Sequence, residues 1–316
     1  MHDIVLECRG VSKRFGEHRV LHDVNLQIVR GQIVSLVGPS GCGKSTLLRA
    51  ILGTHPPDSG EVLMNGRPVT GPGRDRGIVY QRYGLYPFLT ARQNVAFGPM
   101  LDETNLAFRF FQFPRWLALR RKHLASADTM LERVQMGKAL HRYPEELSGG
   151  MCQRVAIAQA LVMKPEILLL DEPFGALDEA TREEMQEMLL QLYAENLEAK
   201  AAGRKPPYTI LIITHELNEA IYVADRVLGL SQYWRWEDTC GPPHPGATII
   251  YDAVSPVFSK CAEAEAAAFV RQREEMRRVI FEPAERFGRD SHTRFWKQCA
   301  AGEGVGVMAS VPKAAS

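Results

Sequence analysis

Nine residues, Gly38-Pro39-Ser40-Gly41-Cys42-Gly43-Lys44-Ser45-Thr46, join the apolar run Ile33-Val34-Ser35-Leu36-Val37 to the helical stretch Leu47-Leu48-Arg49-Ala50-Ile51-Leu52. A G-x-x-x-x-G-K-S loop between a strand and a helix leaves little choice of fold. Its glycines let successive N–H groups curl into an anion nest, and the helix aims its positive end at the anion. Lys44 neutralises the outer phosphate oxygens of a nucleoside triphosphate, and Ser45 offers a hydroxyl to Mg2+, a hard cation that keeps oxygen ligands. A mere chain reversal would explain the glycines but not the lysine and serine that follow.

A second apolar run, Ile167-Leu168-Leu169-Leu170, ends in Asp171-Glu172-Pro173 and reads as a strand buried on both faces. Asp171 is expected to hold the metal, directly or through water. Glu172 is expected to orient or deprotonate the water that attacks the γ-phosphate. The pair alone is an ordinary acidic helix start; the loop Phe174-Gly175-Ala176-Leu177-Asp178 and Thr214-His215-Glu216 change its weight. His215 follows the strand Thr209-Ile210-Leu211-Ile212-Ile213, where such sheets deliver residues to a ligand crevice. Ser148, before Gly149 and Gly150, is a good N-cap for a helix from Met151 to Met163, so a second helix end suited to an anion is expected. One triphosphate already has its own loop, so this end is expected to meet the γ-phosphate of ATP held by another copy.

These motifs, with Gln81, occur in the order found in ATP-binding cassette (ABC) ATPases, which the chain resembles over about residues 4 to 231. The resemblance implies an α/β P-loop NTPase fold: a mixed β core, an antiparallel β edge and a helical subdomain. It implies a head-to-tail dimer, of two copies or with a paralogous cassette, sandwiching two ATP between the Walker A loop (38–46) of one subunit and Ser148-Gly149-Gly150 of the other. Phe15 would stack on adenine, its alternative being a core aromatic at a strand end. Gln81 would touch the metal or the water, Asp178 would belong to the nucleotide-contacting loop, and His215 would steady the γ-phosphate. The sequence departs from the pattern at Met151 and Cys152, where many relatives carry a polar pair, and at Gln159, where arginine is common.

Composition narrows the classes. A net charge of +1 provides no electrostatic footprint for nucleic acid, and 45% hydrophobic residues suffice for a large core in 316 residues. Six scattered cysteines lack metal spacing, and a disulfide at Cys42 would disable the phosphate loop, so a reducing cytosol fits. No apolar run is long enough to span a bilayer, and the amino terminus lacks the form of a signal peptide. A membrane role therefore requires partners, and the expected place is the cytoplasmic face, held peripherally.

The expected organisation is an ATPase domain over 1–231 and an extension over 232–316. Strands are expected at 4–7, 24–29 and 61–64, with Asn65-Gly66 as a hairpin turn. A helical subdomain is expected over about 90–163, docking membrane subunits, with an insertion over about 102–124. Within it, Phe108 to Lys122 mixes aromatics with basic residues, and Pro114 should interrupt any single helix. Such a segment suits a membrane interface or a partner's cytoplasmic loop; the plainer expectation is that it buries its aromatics against its own domain. Gly203 to Pro207 reads as a solvated loop. Cys240 and His244 are too few for a metal site. Residues 262 to 279 read as an exposed terminal helix supported by Glu274 and Arg278, and the tail from about Ala300 as disordered.

Three roles compete: the ATPase subunit of a membrane transporter, a chromosome-maintenance ATPase, and a ribosome-associated factor. Repair-type relatives place a long coiled coil between Walker A and the signature, which is absent here, and ribosomal relatives usually carry two cassettes. Transport is therefore expected, with permease subunits and, for import, an external solute-binding protein. Gln81 to Thr90, followed by Asn94-Val95 and Gly98, is similar to importers of nitrate, sulfonates and taurine, although Tyr86-Pro87-Phe88 stands where Leu-Pro-Trp is expected, so other small-solute or amine importers stay open as the alternative.

Overall fold

Strands with continuous apolar runs and strands that alternate end up in different sheets of the computed structural model, which describes residues 3–175, 177–237, 244–255 and 263–301. The chain runs through β1 (Ile4–Phe15), β2 (His18–Val29), β3 (Ile33–Val37), α1 (Lys44–Leu52), β4 (Ser59–Met64), β5 (Arg67–Pro68) and β6 (Arg76–Val79). The helices α2 (Ala91–Glu103), α3 (Leu106–Phe111), α4 (Phe113–Arg133) and α5 (Gly149–Leu161) follow. Then come β7 (Ile167–Asp171), α6 (Glu179–Ala201), β8 (Ile210–Thr214), α7 (Leu217–Val223), β9 (Arg226–Ser231), β10 (Thr248–Val254), α8 (Glu263–Met276), β11 (His292–Thr293) and α9 (Phe295–Ala301).

β3, β8 and β9 are buried along their whole length and β7 to its last residue, as parallel strands covered on both faces must be. They lie in a seven-stranded sheet of order β11-β10-β9-β3-β8-β7-β6. β9, β3, β8, β7 and β6 run parallel to one another. The half-buried strands form the second, antiparallel sheet, in the order β2-β1-β4-β5. Asn65 and Gly66 turn β4 into β5 with φ of 47° and 75°, the left-handed pair a two-residue hairpin needs. The β1–β2 hairpin is longer than the sequence pieces expected, and it carries Phe15 to its tip opposite His18.

The helical part is built on α2, α4 and α5, joined by Val95, Ala96, Ala127, Leu131, Val155 and Ala158 in one core with the sheet. Thr90 caps α2 with a full capping box to Gln93. The chain does break near Pro114, which occupies the first turn of α4 after the kink at Gln112. The expectation that this insertion buries its aromatics fails for three of five: Phe110 and Phe111 are 88% and 87% exposed and Phe113 is 55% exposed, while Phe108 and Trp116 are half-buried.

The segment beyond 231 joins the main sheet. β10 pairs antiparallel with β9, and Arg226 clamps it by a bidentate pair to Asp252, both contacts at 2.7 Å, with the guanidinium 3.9 Å from the Phe295 ring centre. Residues 262–279 were expected as an exposed terminal helix, and this is corrected: Met276, Val279 and Ile280 are fully buried, and β11 and α9 follow. Arg278 pairs with Glu285 rather than Glu274. Cys240 and the tail beyond 301 lie outside the described residues, while the His244 ring binds the Gln232 carbonyl and the Gly246 N–H.

Candidate functional site

Because five strands run parallel, their carboxyl ends open on one edge of the sheet, and the loops there carry the chemistry. β3 leads into Gly38, β6 into Gln81, β7 into Asp171-Glu172 and β8 into His215. This topology brings together residues separated by up to 177 positions.

The phosphate loop is fitted tightly to its surroundings. A Cβ at Gly38 would lie 2.2 Å from the Leu230 carbonyl oxygen and 2.8 Å from Cys42 Sγ, so no other residue fits. Gly41 and Gly43 have φ of 80° and 103°, and Gly43 caps α1 without a side-chain bond. Lys44 Nζ donates to the carbonyls of Gly38 at 2.7 Å and Pro39 at 3.0 Å, folding back over the loop. Ser40 and Ser45 are exposed on the open side, with Pro39 and Thr46 half-buried beside them. Cys42 is buried, and burial pushes its thiol up despite the nearby Lys44 charge.

Opposite this loop, Asp171 is half-buried, and its carboxyl is raised by burial first and then by the neighbouring Glu172 charge, with Lys44 and Arg49 opposing. Glu172 has a φ of 49°, which is unusual for a residue with a side chain and is held by its N–H bond to the Ile213 carbonyl at 2.8 Å. The strained backbone sets its carboxylate between two loops. Its Oε1 lies 3.2 Å from His215 Nδ1, and its Oε2 accepts from Gln81 Nε2 at 3.4 Å.

Ser148, Gly149 and Gly150 form a separate cradle. The Ser148 hydroxyl accepts from the Met151 N–H at 3.2 Å, completing the cap of α5. Its neighbours belong to the same subunit's loops rather than to Lys44. A Cβ on Gly149 would stand 2.7 Å from the Tyr83 hydroxyl, and one on Gly150 only 1.8 Å from Thr181 Cγ2. Cys152 is buried with its thiol near the Pro144 carbonyl, so this departure from the common pattern is a packing one. Gln159 is half-buried.

Asp178 caps α6, accepting from the Thr181 N–H at 3.0 Å and hydroxyl at 2.9 Å, which holds its carboxyl below the usual range. Ala176 of this loop lies outside the described residues. Phe15 is 47% exposed and therefore not a core aromatic, with Lys13 Nζ 5.8 Å from its ring centre.

Sequence reading missed Tyr83, Thr181 and a relay behind His215. The Thr214 hydroxyl donates to Glu219 at 2.9 Å, Glu219 lies 3.4 Å from Arg182, and Arg182 donates to the Leu177 carbonyl at 3.3 Å. The loop at Asp178 is thereby tied to the loop at His215. Arg182, four residues beyond Asp178, gives no pattern that would have marked it. α8 and the turn after it approach from outside, where Arg273, Arg277 and Phe281 share with His215 and Leu217 a cavity of about 400 Å³.

Comparisons with known proteins identify the family. The family described as ABC transporter matches residues 21–175. The nitrate transport protein NasD of Klebsiella oxytoca is 43% identical over 228 residues, 71% of this chain and 79% of that one. The aliphatic sulfonates import ATP-binding protein SsuB of Bacillus licheniformis is 40% identical over 226 residues, 70% of this chain and 78% of its own. A dimeric post-hydrolysis structure of the ATP-binding cassette MJ0796, bound to ADP and Pi, superposes with a TM-score of 0.53 at 30% identity, covering 71% of this chain and 93% of that chain. With the phosphate loop, the acidic strand end and the signature helix in one fold, and relatives of such identity over most of their length, the chain belongs to the ABC transporter family, as one of its ATP-hydrolysing cassettes.

Proposed function

We propose that this cassette drives uptake of a small oxyanion-bearing solute, nitrate, a sulfonate or a taurine-like molecule, by closing head to tail with a second cassette over two ATP. The observation that carries the ATPase half is the convergence of Gln81 and His215 on the two oxygens of Glu172. A water between that carboxylate and a γ-phosphate would be deprotonated by Glu172 and aligned by Gln81, while His215 steadies the phosphate oxygens.

The donor set fits Mg2+: the Ser45 hydroxyl is exposed at the start of α1, and Asp171 is a half-buried carboxylate whose burial beside Glu172 raises its carboxyl, a cost that a bound cation would offset. Ser45, Asp171 and Gln81 would hold the metal, which supplies neutralisation of phosphate charge. Lys44 then leaves the Gly38 and Pro39 carbonyls for the nucleotide. The nest at 38–46 and Phe15 bind one face of the ATP, and the partner's Ser148-Gly149-Gly150 together with the Asp178 loop closes the other.

The uptake half is supported by the names of the nitrate and sulfonate relatives. No helix among the described residues is long and apolar enough to cross a membrane, so the solute path would belong to separate permease subunits, with a solute-binding protein outside and this chain on the cytoplasmic face. Purification of the tagged chain in mild detergent, with mass spectrometry of what accompanies it, tests this. Recovery of an integral membrane permease is expected; recovery of ribosomes or DNA-processing proteins overturns it.

A further inference from the structure

The seventeen residues from Leu106 to Lys122 hold five cations, Arg109, Arg115, Arg120, Arg121 and Lys122, and no carboxylate, within a chain whose net charge is +1. The acids just before them are engaged elsewhere: Asp102 pairs with Arg74 at 2.8 Å, and Glu103 lies 3.4 Å from His123. Lys122 shares a cavity with these two acids, but none of the five cations makes an ion pair among the described residues.

Three of the segment's phenylalanines face outward, while Phe108, Trp116, Leu117 and Leu119 are half-buried. α4 is anchored by its second half, where His123, Ala127 and Leu131 are buried against α2 and α5. The ten residues before His123 project past that anchor by about 15 Å at helical rise. At the projecting end the kink at Gln112 turns α3 across α4 and leaves Phe110, Phe111 and Phe113 in water. Asn105 caps α3 through the Phe108 N–H at 2.7 Å, so the exposed phenylalanines sit on an ordered turn. Trp116 packs on Phe113 at 5.4 Å, and the Arg120 guanidinium lies 6.0 Å from the Trp116 ring centre. Three exposed phenylalanines on one turn form an apolar patch that calls for a partner.

Charge chooses the partner. Aromatic rings beside arginine and lysine that make no ion pair among the described residues, with no acid in the segment, match the boundary of an anionic bilayer, where rings enter the headgroup level and cations meet lipid phosphates. We propose that residues 106–122 are a direct contact with an anionic lipid surface: Phe110, Phe111 and Phe113 enter the headgroup boundary, and Arg115, Arg120, Arg121 and Lys122 bind its phosphates. This contact belongs to the chain itself. It goes beyond the transport reading and does not depend on which solute is carried.

The test is sedimentation of the purified full chain with vesicles of phosphatidylcholine alone and of phosphatidylcholine mixed with phosphatidylglycerol, at low and high salt. Two variants are compared, Phe110→Ser with Phe111→Ser, and Arg120→Gln with Arg121→Gln and Lys122→Gln. All five side chains lie outside the nucleotide site, so ATP hydrolysis in solution should stay at the parent rate and report intact folding. The parent is expected to bind anionic vesicles at least about tenfold more tightly than neutral ones and to lose that preference as salt rises. Each cation lost should weaken binding about fivefold, the factor for about 1 kcal/mol, so the triple change costs on the order of a hundredfold. The aromatic variant should weaken binding to both vesicle types. Equal binding to the two vesicle types, or binding untouched by either variant, overturns the proposal. So does a parent chain that ignores both vesicles yet loses a co-purifying membrane protein when these residues change, which would make the patch a protein contact.

Discussion

The Glu172 carboxylate and the His215 ring meet at 3.2 Å across the ends of two neighbouring parallel strands, β7 and β8. Neither residue lies deep in the protein, so the contact can open to admit a phosphate and a water. If Glu172 is the base, Glu172→Gln keeps the shape and the nucleotide loop but cannot take a proton. Phosphate release should fall by about 10² to 10⁴ with ATP affinity unchanged, and gel filtration with ATP should show an accumulated dimer. Hydrolysis at the parent rate would remove Glu172 from this role.

A side chain at Gly150 would run into Thr181, whose Cγ2 would lie 1.8 Å from a Cβ there and whose hydroxyl is held by Asp178. Gly150→Ala either turns the Thr181 side chain off Asp178 or shifts α5 from α6, and both disturb the helix end capped by Ser148. The nucleotide loop lies elsewhere, so single-subunit ATP binding should persist while ATP-induced dimerisation and turnover drop at least about tenfold. Fluorescent-nucleotide titration beside light scattering separates the two. Loss of both together would point to general unfolding.

Phe15 at the hairpin tip has nearly half its surface in water, so its truncation should cost little stability. Loss of a stacked base typically costs about 1 to 3 kcal/mol, so Phe15→Ala should weaken ATP binding roughly fivefold to a hundredfold, with Phe15→Trp retaining it. Calorimetric titration measures this directly. Unchanged affinity would leave adenine to another partner.

Cys42 lies beneath the phosphate loop, where burial both hides the thiol and disfavours its thiolate. Iodoacetamide should therefore modify it slowly, after the half-exposed Cys299. Once modified, it should crowd the loop. In a variant keeping Cys42 as its only cysteine, loss of ATP binding should track incorporation of label one for one. Labelled protein with parent affinity would show that the loop accommodates the added group.

What could be read without the fold was local chemistry. The strand, loop and helix around Lys44, the acidic end at Asp171 and the cap at Ser148 are each written within twenty residues, and the parallel sheet needed only to line up their ends. What depended on neighbours far along the chain could not be read. The pattern of aromatics at Phe110 and Phe111 is the same whether a core covers them or not. The helix from Glu263 looked solvated because its buried residues, Met276, Val279 and Ile280, straddle a change from α to π winding at 277–281, which breaks the usual spacing. The tie from Asp178 to His215 through Arg182 and Glu219 exists only because α6 and α7 pack side by side.

Asp225, beside the clamp residue Arg226, lies at the head of β9 with only 2% of its surface exposed. Burial raises its carboxyl to about 8, against the opposing pull of the Tyr193 hydroxyl and the Arg226 charge. The folded chain then keeps a proton that the unfolded chain, with an ordinary aspartate near 3.9, gives up. Between roughly pH 4 and 8 the native state binds more protons than the unfolded state, so stability contributed by this residue falls as pH rises, and it levels off above about 8. Asp225→Asn removes the titration while keeping the shape. Thermal unfolding followed across pH should show the two proteins close together near pH 5 and the variant higher by about 3 to 5 °C at pH 8.5. Parallel curves over the whole range would mean that Asp225 is ionised in the folded chain and compensated by its neighbours.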